Sequence, residues 1–403
     1  MITTDEAIRV IFANVSSLEP VSKPLSESYG SILAGDVFAD RDLPPADRSA
    51  MDGYAVRAED IKECPRVLTV TGEIAAGIPA NITVDAGCCV RIFTGAVIPD
   101  GADTVVMVED TEESGGAVTF KNPVPFGKNI RYRGEETKKG DLIFSEGDFL
   151  GAAQIGLCAS VGVAEPKVYS RPRIAVLCTG KELRDASESV LPHEIRNSNG
   201  PALCAALESW GFGSVKHKVL PDNPEIITEE LKRVAVDHEV ILLTGGVSVG
   251  KYDFVPGAVE NIGAKIRFHK VAVKPGKPLL YATLSDNRHI FGLPGNPLSV
   301  MSGFCEFVLP ALKCLSGIPE SRSKVSMFLP LSGEVGSKPD RALNVLARIQ
   351  WSPDGPAVSP LKSCGSADLS SGSFADGVIV VPVNAGKLSP GTMVEFRPWR
   401  PLP

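Results

Sequence analysis

The sequence predicts a multidomain protein of the α/β plus β class, with a central α/β domain on a mostly parallel sheet. Three observations predict it. Between residues 171 and 322, apolar strand-like runs alternate with helical patterns, as right-handed βαβ units require. Short strand-like runs broken by Gly, Pro and Asp turns fill 43–145, and again 323–403. The chain has 403 residues, 43% of them hydrophobic, so it is too long for one core and apolar enough for several.

The chain opens with a helix. Thr3 and Glu6 fit a capping box, and Ala7, Ile8, Ile11, Phe12 and Val15 form an apolar stripe behind it. A second, short helix is expected around 26–34. The runs VLTVTGEI, CCVRIFTGA, TVVMVED, AVTFKN and DLIF then read as strands of a β-rich insert over 43–145. A helical stretch within 147–160 leads back toward the N-terminal helix, so 1–42 and 146–170 together read as a helical linker region. Arg171-Pro172 marks the next boundary. IAVLCTG, SVKHKVL, VILLTGG, KIRFHKVAV, LLYATL and HIFGLPG read as strands of the central domain, 171–322. Helices fall near 200–210 and 224–236, and over 298–315 behind Pro297. Beyond 323 the helical signal ends, and VSMFLP, ALNVLARIQW, GVIVVPV and MVEFRPW read as a small all-β domain, 323–403.

Composition narrows the function. The formal net charge of −7 argues against nucleic acid or an anionic membrane as the main partner. The opening MITTDEAIRV has early acids and no apolar core, so no secretory signal is expected, and no apolar run reads as a membrane span. The nine cysteines form no CxxC pair, and they are expected to be reduced, mostly buried thiols of a cytoplasmic protein. The 39 glycines and 32 prolines exceed the usual combined share of ~12%, so many tight turns are expected.

Three motifs of the central domain carry chemistry. In Leu243-Thr244-Gly245-Gly246-Val247-Ser248-Val249-Gly250, a buried strand runs into a glycine-rich turn at the carboxyl end of the sheet, where open α/β folds bind ligands. Its glycines, with Ser248 and Gly250, let backbone N–H groups converge on phosphate oxygens. Asp253, three residues on, is a hard oxygen ligand that could hold Mg²⁺ beside a phosphate, although taken alone such a residue is more often a helix cap. In HKVAVKPGKP, Lys270, Lys274 and Lys277 concentrate positive charge. Lys270 and Lys274 share a face if the strand is regular; the bracketing prolines favour an oxyanion site over a solvated edge strand guarded by lysines. Finally, Pro294-Gly295-Asn296-Pro297 enters a helix and aims N–H groups at an anion. In the insert, Asp52-Gly53, Thr94-Gly95 and Arg131–Glu136 read first as turns and a solvated face.

Taken together, SAMDGYAV (49–56), TGAVIPDGADTVVMVED (94–110), RGEE (133–136), TGKEL (179–183), LTGGVSVG (243–250), KPGKP (274–278) and GLPGNP (292–297) resemble the molybdopterin molybdenumtransferase family, the bacterial MoeA proteins and the E domain of gephyrin. The blocks keep their order across most of the chain. The resemblance implies a molybdopterin-binding central domain, a C-terminal domain like a β-barrel, and a homodimer in which the insert of one subunit faces the central domain of the other. It implies insertion of molybdate into adenylylated molybdopterin, with AMP released and Mg²⁺ assisting. It also implies site roles for Asp52, Thr94, Glu136, Glu182, Asp222, Asp253, Lys270, Lys274, Pro294 and Pro297, with Asp222 and Asp253 as Mg²⁺ ligands. A molybdopterin adenylyltransferase and recipient molybdoenzymes are the implied partners. Three positions depart from the family pattern. Glu136 stands where aspartate is usual, Lys181 replaces the aspartate of TGDEL, and Asn197 stands where aspartate is frequent. Two alternatives stay open: a molybdopterin adenylyltransferase, which uses a similar α/β domain, and a non-catalytic scaffold of the same fold.

Overall fold

Ile174–Thr179 is buried at every position, and so is Val240–Thr244. A strand reaches that state only when both faces of its sheet are covered. In the computed structural model, which describes residues 1–248, 253–336 and 341–402, these runs belong to a six-stranded sheet. Its strands are β1 (Ile174–Thr179), β2 (His217–Leu220), β3 (Val240–Thr244), β4 (Lys265–His269), β5 (Leu280–Leu284) and β6 (Arg288–Leu293). The order is β2-β1-β3-β6-β5-β4. β2, β1, β3 and β6 run parallel, whereas β5 and β4 add antiparallel to the β6 edge. The sheet is therefore mixed, because a short β5–β6 turn replaces a helical crossover.

The strand period sorts side chains between two cores. Ile174, Val176, Val240 and Leu242 face α1 (Thr4–Phe12), α2 (Asn199–Ser209) and the long helix that follows β6; Ala175, Leu177, Ile241 and Leu243 face α3 (Pro224–Asp237) and α4 (Val255–Asn261). The expected capping box is present in α1: Thr3 Oγ1 accepts from the Glu6 N–H at 3.2 Å, and Glu6 Oε2 accepts from the Thr3 N–H at 2.7 Å. The long helix, α5 (Pro297–Leu315), expected as a helix but not as an apolar span, is the one helix among the described residues apolar and long enough to cross a membrane. It is 89% buried in the domain core. Its residues Phe304–Val308 form a π-helical turn that carries the buried Glu306, which pairs with Arg397 and accepts from Asn344 Nδ2 at 2.9 Å.

Those partners come from the C-terminal strands β7 (Met327–Pro330), β8 (Ala342–Ser352), β9 (Gly355–Pro360), β10 (Gly377–Val381) and β11 (Met393–Pro398). They hydrogen-bond in the order β9-β8-β10-β11-β7, and a bridge from Leu331 to Val358 returns the circuit to β9. The two-residue strand Val273–Lys274 of the central domain joins this sheet parallel to β8.

By backbone contacts the chain divides into two compact units. The larger holds Met1–Lys23, Ser28–Ala34 and the chain from Lys167 onward; the smaller holds Pro24–Glu27 and Gly35–Pro166. The smaller unit is built on a six-stranded sheet of its own, from Thr104–Met107 at one edge through Gly53–Val56 to Thr111–Ser114 at the other.

Two expectations fail on local grounds. Residues 26–34 hold no α-helix; a single 3₁₀ turn at Leu25–Glu27 precedes an isolated bridge from Leu33 to Val168. The run 265–273 is not one strand, because Lys270 adopts φ +81° and breaks it after His269. Lys270 and Lys274 therefore do not share a strand face.

One buried titratable group ties the β5–β6 turn to the N-terminal segment. Asn287 Nδ2 donates to the Ser16 carbonyl at 2.6 Å, so its Oδ1 accepts from His289 Nε2 at 3.0 Å. His289 Nδ1 is then left to accept from the Tyr281 hydroxyl at 2.9 Å. Burial pushes the His289 imidazole down from 6.5 to about 4. The unfolded chain takes up a proton as pH falls through 6.5 and the folded chain does not. This contribution is complete above 6.5 and is lost between 6.5 and about 4, a cost of roughly 3 kcal/mol. Thermal unfolding from pH 7.5 to 4.5 should show a steeper acid loss in the parent protein than in His289→Gln.

Candidate functional site

Four parallel strands end along one edge of the central sheet, at Leu220, Thr179, Thr244 and Leu293. The turn leaving each carries a predicted site residue, which is where chain topology opens a crevice in α/β sheets. After β1, the Gly180 N–H donates to the Leu220 carbonyl at 3.3 Å, and the Lys181 N–H donates to Asp222 Oδ2 at 3.1 Å. The turns after β1 and β2 are thereby joined, and Asp222 is oriented at the strand ends. Glu182 lies back over the same turn, since a Cβ on Gly180 would come within 2.9 Å of its Oε1.

After β3, Gly245 and Gly246 both take positive φ, +85° and +62°. A Cβ on Gly245 would lie 2.4 Å from the Thr179 carbonyl oxygen, so glycine is required by backbone angle and by space alike. Val247 is buried, and Ser248 is exposed at the end of the described turn. Gly250 lies outside the described residues. Asp253, half-buried, stands just before α4.

After β6, the Leu293 carbonyl accepts from the Gly245 N–H at 3.2 Å. The next loop is drawn against the glycine turn: a Cβ on Gly295 would sit 3.8 Å from Gly245 Cα. Asn199, at the start of α2, fixes that loop by donating Nδ2 to the Gly295 carbonyl at 2.7 Å. Pro297 starts α5 and Asn296 is its N-cap residue. Asn296 Nδ2 instead donates to Ser366 Oγ at 2.7 Å, and the Leu298 N–H donates to the Ser366 carbonyl at 3.1 Å.

Those contacts seat a C-terminal loop on the entrance to α5 and frame a cleft of about 720 Å³. Lys274, Lys277 and Pro294 line it from the central domain; Arg341, Asn344, Ser363, Cys364 and Ser366 line it from the C-terminal domain. Lys270 is not among its lining residues. Its N–H donates to the Leu279 carbonyl at 2.8 Å, just past the end of the edge strand β4. The structure thus divides the lysine cluster into two places. It also adds Arg341 and the 363–366 loop, which the sequence reading missed; their only local signal is turn-forming Ser, Cys and Gly in SCGS.

In the smaller unit, Asp52 Oδ1 accepts from both the N–H and the hydroxyl of Thr94, each at 2.7 Å. Those bonds hold its carboxyl below the usual range, so it stays ionised at the loop surface. Arg48–Ser49 pairs with Ile130–Arg131, and the Ser49 carbonyl accepts from the Gly95 N–H at 2.8 Å. The SAMDGYAV, TGA and RGEE motifs therefore lie side by side. Arg131 bonds both Glu135 and Glu136, so the longer Glu136 side chain is still anchored. Of the other departures, Asn197 is buried, its Oδ1 accepting from the Gly200 N–H at 3.1 Å. Lys181 is exposed and serves the site through its backbone.

Among the described residues no three His, Cys, Asp or Glu side chains converge as a ready metal cage. The donors at the strand ends are carboxylates, hard oxygen ligands suited to a cation that keeps water and substrate oxygens in its shell.

Comparison with known proteins assigns all three parts of the chain. Residues 2–162 match the MoeA N-terminal region (domain I and II), 175–314 a probable molybdopterin binding domain, and 329–399 the MoeA C-terminal region (domain IV). A molybdopterin molybdenumtransferase of Staphylococcus epidermidis is 37% identical over 320 residues, 78% of this chain and 76% of that protein. One of Staphylococcus aureus is 37% identical over 323 residues, 79% and 77% of the two chains. The crystal structure of a molybdopterin biosynthesis MoeA protein from Pyrococcus horikoshii OT3 superposes with a TM-score of 0.82 at 27% identity, covering 99% of this chain and 100% of that one.

The glycine turn yields a direct test. Gly245→Ala should cost about 3 kcal/mol or more, through the positive φ and the 2.4 Å clash together. Gly257→Ala in α4 meets open space and should be neutral or stabilising by about 0.5–1 kcal/mol. Chemical denaturation of the two variants reads the difference.

Proposed function

The chain belongs to the molybdopterin molybdenumtransferase family of molybdenum cofactor biosynthesis, and from that premise we propose how its residues divide the work of moving molybdate into adenylylated molybdopterin with release of AMP. The observation that carries the proposal is the loop Pro294–Pro297, which forms one wall of the cationic cleft and rests against the glycine turn on its other side. Two anions can therefore be held next to each other, one on each side of a short, proline-stiffened loop.

The cleft takes molybdate. Lys274, Lys277 and Arg341 supply charge for the dianion, and Ser366, across the cleft from the lysines, accepts from Asn296 and keeps its own hydroxyl proton to donate. The turn 245–248 takes the phosphate of the adenylylated pterin through backbone N–H groups, with Lys270 beside it. Asp222 and Asp253 would hold Mg²⁺, which would supply positive charge beside the phosphate oxygens. Glu182, folded over Gly180, orients the pterin or the cation. The fixed donors and charges favour a transition state in which negative charge grows on the leaving phosphate.

Asp52, Thr94 and Glu136 complete the site from the partner subunit of a homodimer. Their support is the family and their own arrangement: an ionised carboxylate locked to a loop, exposed and next to the anchored RGEE turn. We retain the four-part division into 1–42 with 146–170, 43–145, 171–322 and 323–403; the family matches change over near two of its internal limits, 170/171 and 322/323. The nine cysteines, all free, support a reducing cytoplasm. A molybdopterin adenylyltransferase would supply the substrate and molybdoenzymes would receive the product. An adenylyltransferase role for this chain gives no reason for Arg341 and Ser366 to face the lysines.

Purified protein should release AMP from adenylylated molybdopterin only with molybdate and Mg²⁺ present, leaving metal on the pterin. Consumption of ATP to make the adenylylated species would overturn the proposal. Lys274→Ala and Asp253→Ala should each lower turnover by at least tenfold, about 1.4 kcal/mol of lost transition-state stabilisation. Mixing Asp52→Ala with Asp253→Ala subunits should restore about a quarter of wild-type activity, since random exchange puts one intact shared site in half of the dimers. No recovery on confirmed subunit exchange would place all of the site in one chain.

A further inference from the structure

We propose that His269 is a positioning residue for this reaction, a latch that sets the glycine turn at the height needed to meet the substrate phosphate. The proposal rests on the reading of that turn as the phosphate site.

The argument starts from strand register. Paired positions on neighbouring strands project to the same face of a sheet. Leu177 pairs with Leu243, Leu243 with Gly292, Gly292 with Leu280, and Leu280 with His269. These five residues form one row across β1, β3, β6, β5 and β4, at the edge where the site lies. Leu177, Leu243 and Leu280 all lie in the core that packs on α3 and α4. The row has one gap, at Gly292. A Cβ there would lie 3.0 Å from Val247 Cγ1, so the chain leaving the glycine turn folds back and fills the gap with the Val247 side chain.

Filling the gap carries the Val247 backbone over the sheet, toward the far end of the row. There His269 Nε2 stands 2.6 Å from the Val247 carbonyl oxygen. A carbonyl only accepts, so Nε2 carries the proton and the imidazole donates. The turn is thus held at both ends. The Gly245 N–H is bonded to Leu293, and the Val247 carbonyl is bonded to a side chain from the opposite edge strand. His269 is also the last residue of β4, immediately before Lys270 with its positive φ. One residue therefore links the backbone that presents Lys270 to the backbone that presents the phosphate donors. If the two anion-binding elements act on one substrate, their spacing is set through this bond.

The test compares His269→Ala, His269→Leu and His269→Gln with the parent protein. Glutamine can still offer an N–H at similar reach; leucine fills the space and offers none. Hydrogen exchange of the 241–248 backbone needs no ligand. It should quicken by about tenfold in the Ala and Leu variants, the size of one net hydrogen bond, and return toward the parent rate in Gln. AMP binding should weaken, and KM for adenylylated molybdopterin should rise, by a similar factor with kcat nearly unchanged. If His269→Ala fails to fold, the Leu and Gln pair makes the same comparison. Equal exchange rates in Leu and Gln would overturn the latch. So would a fall in kcat at constant KM, which marks a group acting on the reacting atoms. Failure of the parent protein to release AMP would instead count against the proposed function, and the exchange result would still decide the latch.

Discussion

Everything at this site depends on how closely two backbone segments approach. The Thr179 carbonyl and the Gly245 α-carbon leave no room for a side chain, and the two glycines after β3 take a backbone angle that other residues resist. That approach lets the ends of β1 and β3 act as one surface. The Leu293–Gly245 bond then brings the end of β6 onto it, and the Lys181–Asp222 bond brings in the end of β2. Few side chains converge on this surface; it is mostly oriented backbone, which suits ligands that are oxyanions.

The second half of the site follows from where the C-terminal domain rests. Its 363–366 loop caps the start of α5, and the two-residue strand Val273–Lys274 lies in its sheet. Lys274 and Arg341 consequently face one cleft although they are remote in sequence. Beneath that cleft, Glu306 in the π-helical turn is paired with Arg397 and bonded to Asn344, itself a lining residue. A buried charge pair with a further hydrogen bond is costly to break, so this contact fixes the register of the C-terminal strands against the helix.

Much of this was legible in the sequence, for identifiable reasons. The buried strand ending in Gly245-Gly246 announced itself because an apolar run, adjacent glycines and a following helix are all local signals. The α1 capping box was legible for the same reason. The shared face of Lys270 and Lys274 was misread because one residue with positive φ ends a strand, and lysine gives no warning of that conformation. The antiparallel strands β4 and β5 were indistinguishable from parallel ones, since apolar runs carry no direction. Arg341, Ser366 and Asn344 were invisible because their role exists only once the C-terminal sheet accepts a strand from the central domain. His269 was passed over because its partner is a carbonyl three strands away, reachable only through the gap at Gly292. For Asp52, Thr94 and Glu136, the residues alone indicated turns; the family resemblance supplied their significance.

The central claim is that the cleft between Lys274, Lys277 and Arg341 holds molybdate, beside and distinct from the phosphate turn at Gly245. Diffraction from crystals grown with molybdate and AMP, collected near the molybdenum absorption edge, tests it most directly. The account predicts anomalous density in the cleft, within reach of those three cations, and the AMP phosphate on the 245–248 turn. Molybdenum density on the glycine turn with an empty cleft would contradict it.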